Sequence, residues 1–354
     1  MPALGETMRI GAVGENLLER LAVRLRLGPR PLLETHATLL LAQALMVATK
    51  IGVIEALAAA PLTPGEVAAR CGSDERATAK LLGVLEATGY VRSARGRYTL
   101  TPDARRWLLA DSPHSLRDNV LFRFVELEWI GRLDRFLLSG RPLDIHAEMS
   151  PEQWGAYQRG MRSLAASLAS EVAWRTKVPR GARAMLDIGG AHGLYSAALC
   201  RRHPTLEAVV LDLPAAVEQA AGMLEHEGLG GRIVHRAGDA LTDDLGAGAF
   251  DLVLVSNLLH HFATGQSRDL VRRAARALRP GGVLVVQELF APASARRAGQ
   301  AAALADLYFA MTSESGTLPV DEIAAWQREA GLRPLRPVRF VSFPGAGQQS
   351  AVKP

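Results

Sequence analysis

Met185-Leu186-Asp187-Ile188-Gly189-Gly190-Ala191-His192-Gly193 is a short apolar run, broken by one carboxylate, that opens into a glycine-rich turn. An apolar stretch of this length bounded by turn residues predicts a buried strand over 184–188, with a helix to follow over 194–202. Between them Gly189, Gly190 and Gly193 let the backbone turn tightly and approach a ligand with no Cβ in the way. A lone glycine-rich turn says little. Its weight comes from the next strand, 206–211, which closes on Asp212. An acidic side chain about twenty residues beyond such a turn is placed to take ribose hydroxyls.

Outward from that turn, strand and helix alternate with little interruption. Strands are predicted over 184–188, 206–211, 232–235, 250–255 and 283–287, with helices over 194–202, 215–228 and 265–278. Val- and Leu-rich strands each followed by a helix call for a parallel sheet with helices on both faces. In such sheets ligands sit beyond the carboxyl ends of the strands. Three more features land there: Gly238-Asp239-Ala240 after the third strand, Ser256-Asn257-Leu258-Leu259-His260-His261-Phe262 after the fourth, and Glu288 after the fifth. Residues 332–343 read as the last strands, with Val338, Phe340 and Phe343 alternating.

The whole chain has 354 residues, enough for two domains and a large core, and the composition of a soluble globular protein. Its net charge of +5 comes mostly from scattered Arg with no basic run, which argues solubility more than nucleic-acid binding. Cys71 and Cys200 stand far apart, without a second Cys or a His at metal-ligand spacing, so a reducing, cytoplasmic setting with neither disulfide nor zinc is expected. No signal peptide is apparent. The most apolar run, 39–48, is broken by Gln43 and reads as too short to span a bilayer, better suited to a buried or interface helix.

Upstream of the sheet the chain divides into a polar leader (1–30), a winged helix (31–110) and a helical region (111–180), leaving 181–354 to the sheet domain. Residues 17–27 of the leader are amphipathic. Helical spacing runs over 32–57 with Gly52 as a break. Thr63 is the expected N-cap of a short helix beginning at Pro64, and Ser73-Asp74-Glu75 caps a second that Gly89 ends. Residues 90–92 and 97–100 alternate around Gly96 like a hairpin. A winged helix invites a DNA-binding reading, supported by Arg76, Lys80, Arg92, Arg95 and Arg97. Asp74, Glu75 and Glu86 on the second helix leave its exposed face only weakly basic.

Residues 102–140 continue as helices carrying Trp107, Phe122, Phe124, Trp129 and Phe136, most of them core. Residues 142–149 read as an irregular bridge. A long helix follows over 152–174, with Trp154, Tyr157, Met161, Leu164 and Leu168 at helical spacing.

The pattern Asp-x-Gly-Gly-x-x-Gly at 187–193, followed by Leu211-Asp212-Leu213-Pro214, resembles the S-adenosylmethionine site of class I methyltransferases. More narrowly, the chain resembles the two-domain small-molecule O-methyltransferases of plant phenolic, hydroxyindole and bacterial polyketide or carotenoid type. The resemblance covers nearly everything after the leader. It implies a Rossmann-like domain with a seven-stranded, mostly parallel sheet, and an N-terminal winged-helix domain that serves in dimerisation and touches no DNA. It also implies a cofactor site of Asp187, Gly189, Gly190, Gly193, Asp212, Leu213, Asp239, Ala240, Ser256 and Asn257, the Asp239 carboxylate accepting the adenine amino group. His260 falls in register with the family's general base, and Glu288 with the Glu that fixes its tautomer. Tyr157 and Met161 match an aromatic-x-x-x-Met pair that lines the acceptor pocket, to which Trp154, His261 and Phe309 are added. Soft, polarizable walls of that kind suit a flat aromatic acceptor. Consecutive residues in a helical turn point about 100° apart, so only one imidazole is expected in the cleft. For His261 a structural place at the end of the turn is the stronger reading.

Three positions depart from the family. Ala191 stands where Gly is usual and His192 where Thr or Ser is usual. Leu318 stands where a second Glu flanks the base, with Glu314 and Asp321 nearby but out of register.

These readings predict a homodimeric methyltransferase that uses S-adenosylmethionine and acts on a hydroxyl of an aromatic or polyketide-like small molecule. Nucleic acid, membrane and metal are not expected, since no carboxylate cluster at the strand ends has the ligand count magnesium wants. Carbon or nitrogen methylation is the alternative within the class. Outside it stand a winged-helix regulator that senses S-adenosylmethionine and a fold relative whose cofactor is structural.

Overall fold

The structure, a computed structural model, describes residues 11, 13, 16–25, 27–292 and 299–354. Residues 1–10, 12, 14, 15 and 26 of the leader therefore lie outside the described residues. Described residues up to Phe124 form one compact unit and Val125–Pro354 a second.

In the first unit, Asn16 caps a short exposed helix, α1 (Leu17–Arg24), by accepting the Glu19 N–H at 3.0 Å. The helix α2 (Arg30–Lys50) has 21 residues, longer than the apolar run alone indicated; by length and composition it could cross a bilayer. Leu32, Leu33, Leu39, Leu40 and Leu41 on it are exposed in the single chain. Gly52, at φ +85°, breaks the helix before α3 (Val53–Ala56). A capping box opens α4 (Pro64–Cys71): Thr63 Oγ1 accepts the Glu66 N–H, and Glu66 returns a carboxylate oxygen to the Thr63 N–H at 2.7 Å. Asp74 caps α5 (Glu75–Ala87). The wing is β1 (Val91–Ala94) paired antiparallel with β2 (Arg97–Leu100). Arg95 and Gly96 join them, both at positive φ, the two-residue turn that matches the twist of the strands. Arg97 folds back onto Glu66 at 2.9 Å, and Glu86 takes the Ser93 N–H, so these charges are spent inside the unit. Val53, Ile54, Leu57, Val67, Leu82 and Leu85 are its core. The unit continues through α6 (Pro102–Leu108), and the chain passes into the second unit along α7 (Arg117–Ile130).

The second unit opens with α8 (Leu133–Ser139), α9 (Ile145–Glu148) and the long α10 (Pro151–Arg175). The α9 turn corrects the irregular bridge predicted over 142–149: Asp144 accepts the Ala147 N–H at 3.1 Å and so caps one helical turn. Then come β3 (Ala184–Ile188), α11 (Leu194–Arg202), β4 (Glu207–Asp212), α12 (Pro214–Glu225), β5 (Ile233–Ala237), β6 (Phe250–Ser256), α13 (Thr264–Ala277) and β7 (Leu278–Leu289). After them follow α14 (Gln300–Thr312), α15 (Val320–Glu329), β8 (Arg333–Pro334), β9 (Val338–Arg339) and β10 (Ala346–Val352). The sheet runs β5-β4-β3-β6-β7-β10-β8, with β9 also pairing β10. The first five of these strands are parallel.

The two-residue period of the strands divides the core. Leu186, Ile188, Val253, Val255, Leu284 and Val286 share one face with Leu270 and Ala274 of α13 and Ile323 of α15. Met185, Leu252, Leu254, Val283 and Val285 share the other with Leu168 and Val172 of α10 and Leu199 of α11. Burying each such side chain contributes roughly 1.5–3 kcal/mol, which fixes the register and with it every residue at the strand ends.

The end of the chain corrects the sequence reading. The last strands do not stop at Phe343; β10 inserts between β7 and the short β8 and β9, antiparallel to all three, so the sheet has eight strands among the described residues. Its sequence, Ala-Gly-Gln-Gln-Ser-Ala-Val, is poor in strand-forming residues. Tertiary pairing compensates. Buried Gln348 donates to Thr176 Oγ1 at 2.8 Å and to Gln287 Oε1 at 3.1 Å, and buried Gln349 donates to Leu335 O at 3.1 Å. Gly347 is required by contact, because a Cβ there would lie 2.3 Å from Val338 O.

Candidate active site

The strand order reverses between β3 and β6, and the loops that leave these two strands flank the crevice where such sheets take ligands. The predicted residues gather along this edge. Gly193, at φ +67°, is the N-cap of α11. Gly190 allows a close approach: a Cβ would sit 2.6 Å from Asp187 Cγ and 2.7 Å from Val210 Cγ1. Asp212 bridges the turn to the second strand, its Oδ2 accepting the Ala191 N–H at 2.7 Å and its Oδ1 the Leu213 N–H at 2.8 Å. Burial raises its pKa.

Ala191 occupies left-handed backbone, φ +45°, which costs an L-residue roughly 1–2 kcal/mol. It is held there by the Asp212 bond and by His235 Nε2, 2.9 Å from its carbonyl. Ala191→Gly is expected to stabilise the protein by about 1 kcal/mol despite the freer unfolded chain. A fall in melting temperature for this variant would show that the strain argument fails. The other departure, His192, is buried; its Nδ1 accepts the Leu194 N–H at 3.1 Å, the job of a Ser or Thr cap. Burial pushes its pKa down to about 3, so it is a neutral structural ring.

Asp187 is 1% exposed. Its Oδ2 accepts the Ser196 hydroxyl at 2.6 Å, while Oδ1 is buried with no hydrogen-bond partner among the described residues. Burial pushes its pKa from 3.8 up to about 7, opposed by Ser196 and reinforced by the Asp212 charge. The neutral acid is the form that suits the fold. The penalty for ionising it is therefore absent below the unfolded value, grows as pH rises toward 7, and is constant above. Asp187→Asn keeps an acceptor for Ser196 and cannot ionise. Without cofactor it should melt higher than the parent at about pH 8 and not at about pH 4; an equal shift at both would reject this account.

After β6 the chain makes a short 3-10 turn, Leu259–His261. Glu288, 1% exposed, organises it. One oxygen accepts the N–H groups of Leu258 and Leu259 at 3.0 and 2.9 Å, and the other lies 2.7 Å from His260 Nδ1. His260, 3% exposed, is thus fixed with Nδ1–H toward the carboxylate, which leaves Nε2 as the basic nitrogen. Ser315 N–H donates to His260 O at 3.0 Å and Ser267 Oγ to Leu259 O at 2.8 Å, anchoring the turn on both sides.

Around His260 lies a row of rings from four elements. Phe309 of α14 meets it edge-on at 4.6 Å between centroids, and His261 lies at 4.1 Å. The two imidazoles of the turn thus lie side by side rather than pointing apart. His146 of α9 continues the row, 4.6 Å from His261, and also touches Tyr157 at 5.8 Å and Trp154 at 5.5 Å. Sequence reasoning missed His146; the only local signal was Asp144 as a cap. Tyr157 is half-buried and its pKa is raised by burial and by the charge of Asp212. Met161, one turn on, is half-buried too.

The remaining predicted residues are present with other partners. Asp239 Oδ1 accepts the Leu241 N–H at 2.8 Å, closing its own turn. Ser256 Oγ accepts from Gln287 Nε2 at 3.0 Å and Asn257 Nδ2 at 3.3 Å, and Asn257 sits at φ +50°. Ala240 packs against the core and Leu213 is exposed. Leu318 is buried in the core, whereas Glu314 and Asp321 are both exposed.

Two family models match. The O-methyltransferase dimerisation domain matches residues 33–110 and the O-methyltransferase domain residues 139–333. The chain is 30% identical to 3-hydroxy-5-methyl-1-naphthoate 3-O-methyltransferase of Streptomyces sahachiroi, over 86% of this chain and 89% of that enzyme. It is 28% identical to the N,N-dimethyltransferase OxyT of Streptomyces rimosus, over 92% of this chain and 96% of the relative. Human N-acetylserotonin methyltransferase, solved in complex with S-adenosylmethionine, superposes with a TM-score of 0.80 at 20% identity, covering 97% of this chain and 99% of that one.

Proposed function

The chain belongs to the S-adenosylmethionine-dependent small-molecule O-methyltransferases, and from that premise we propose that it methylates a hydroxyl of an aromatic or polyketide-like acceptor with His260 as general base. What supports this reading is the His260–Glu288 pair, 2.7 Å apart at the carboxyl ends of β6 and β7. The turn after β3 fits the cofactor: a buried acceptor atom there, Asp187 Oδ1, has no partner among the described residues, and Gly190 packs too closely on Asp187 and Val210 to carry a side chain, which keeps the turn tight. Asp212 would take the ribose hydroxyls, Asp239 the adenine amino group, and Leu213 an adenine face.

When bound, S-adenosylmethionine supplies an electrophilic methyl on a sulfonium. The protein then has to align the acceptor and remove one proton. A hydroxyl is a poor nucleophile while it keeps its proton, so His260 Nε2 takes the proton as the new oxygen–carbon bond forms, and Glu288 stabilises the resulting imidazolium. Phe309, Tyr157, Trp154 and Met161 hold a flat acceptor and keep water out. A carbon or nitrogen acceptor is a second reading, favoured by the similarity to an N,N-dimethyltransferase. Of the exposed leucines of α2, Leu33, Leu39, Leu40 and Leu41 lie within the dimerisation-domain match and would be covered by a second copy of the chain.

Incubation with methyl-deuterated S-adenosylmethionine and a set of phenolic and amine acceptors tests the proposal by mass. Label on oxygen is the expected product. Label found only on nitrogen or carbon would refute the hydroxyl assignment.

A further inference from the structure

We infer that His146 and His261 form a second recognition element beside His260, which hydrogen-bonds an acceptor oxygen adjacent to the one that is methylated. The inference rests on the reading above that the acceptor sits against His260. Its observation is separate. Two further imidazoles come from distant parts of the chain, α9 and the turn after β6, and meet edge-on at 4.6 Å, with His261 only 4.1 Å from His260. Both rings are half-buried, so they keep accessible surface within an otherwise aromatic patch. No hydrogen bond from another described residue reaches either pair of ring nitrogens. Packing alone would be served as well by phenyl rings, and partly buried imidazoles left without partners carry a cost that a ligand would remove.

The chemistry of the pair narrows the ligand. Burial pushes His146 down to about 4, with Asp144 opposing and His260 reinforcing, and burial together with His260 and His146 holds His261 well below its usual value. Each ring is therefore neutral near pH 7 and offers one donor and one acceptor. Such a pair suits a hydroxyl or a carbonyl, and it provides no countercharge for a carboxylate. Oxygens on adjacent ring carbons are close enough for neighbouring imidazoles to take one each. The acceptor class is accordingly an uncharged aromatic with vicinal oxygens, a catechol or an ortho-hydroxycarbonyl.

The full-length protein, saturated with S-adenosylhomocysteine, would be titrated calorimetrically with a naphthalenediol bearing adjacent hydroxyls, with the matching naphthol, and with the matching hydroxynaphthoate. The diol should bind about tenfold more tightly than the naphthol, the worth of one good hydrogen bond, and more tightly than the naphthoate. His146→Phe preserves the ring contacts and should bring the diol-to-naphthol ratio near one; His146→Gln, which retains a donor and an acceptor, should restore part of it. Equal binding of diol and naphthol by the parent would overturn the inference, as would a preference that survives both His146→Phe and His261→Phe, or no binding of any probe. These ratios are read without turnover. Label found only on nitrogen or carbon in the methyl assay would therefore remove the hydroxyl assignment, while these ratios alone decide whether the imidazole pair prefers vicinal oxygens.

Discussion

His260→Ala is expected to lower kcat about 10²- to 10⁴-fold on a hydroxyl acceptor while leaving S-adenosylmethionine affinity within about twofold. The separation follows from where the residue sits. His260 is gripped by Glu288 and packed against the Phe309 ring, whereas the glycine turn and Asp212 belong to β3 and β4. Glu288→Gln is the finer probe, because an amide still accepts from Nδ1–H but cannot stabilise the imidazolium; a loss of about 10- to 100-fold is expected. It also carries a structural cost, since the same side chain holds the Leu258 and Leu259 N–H groups. Steady-state kinetics with a hydroxyl acceptor, paired with calorimetry for the cofactor, separates the two effects. Full activity in His260→Ala would end the general-base assignment, and a parallel loss of cofactor affinity would place the residue in binding instead.

Asp212→Ala is expected to weaken both S-adenosylmethionine and S-adenosylhomocysteine by about 10- to 100-fold, the range for charge-assisted hydrogen bonds. Part of that loss is structural, because the N–H groups of Ala191 and Leu213 lose their acceptor. Asp212→Asn separates the parts: it retains an oxygen for one of those N–H groups and drops the charge. If the ribose reading holds, the Asn variant should also bind more weakly than the parent while melting close to it. Unchanged calorimetric affinity in Asp212→Ala would show that the carboxylate serves only the turn, and the cofactor assignment at this edge would lose its main support.

Much of the site could be read because it lies at the ends of strands that announce themselves. Asp187, Asp212, Asp239, His260 and Glu288 each close or follow a predicted strand, and the parallel pairing of β3, β4, β5, β6 and β7 brings all five to one edge. The caps at Thr63 and Asp74 and the turn at Arg95-Gly96 were equally local signals. What escaped was nonlocal. His146 stands in a stretch that reads as a bridge, and nothing in its neighbourhood points to His261; only the packing of α9 against the turn after β6 joins them. Leu318 looked like a missing carboxylate in sequence, and in the fold it is one more core side chain.

Local sequence set the order of the five parallel strands and the helices between them, the two-sided burial of the sheet, the glycine turn and the residues at the strand ends. Hydrophobic period, capping residues and glycine conformations act over a few neighbouring positions, so they are written where they operate. Tertiary structure alone decided the antiparallel insertion of β10 and the row of rings around His260. A strand of Gly, Gln and Ser is stable only because distant Thr176, Gln287 and Leu335 satisfy its amides, and three imidazoles form a surface only once separate elements have packed. Contacts of that kind depend on which chain segments meet, and no local spacing encodes the meeting.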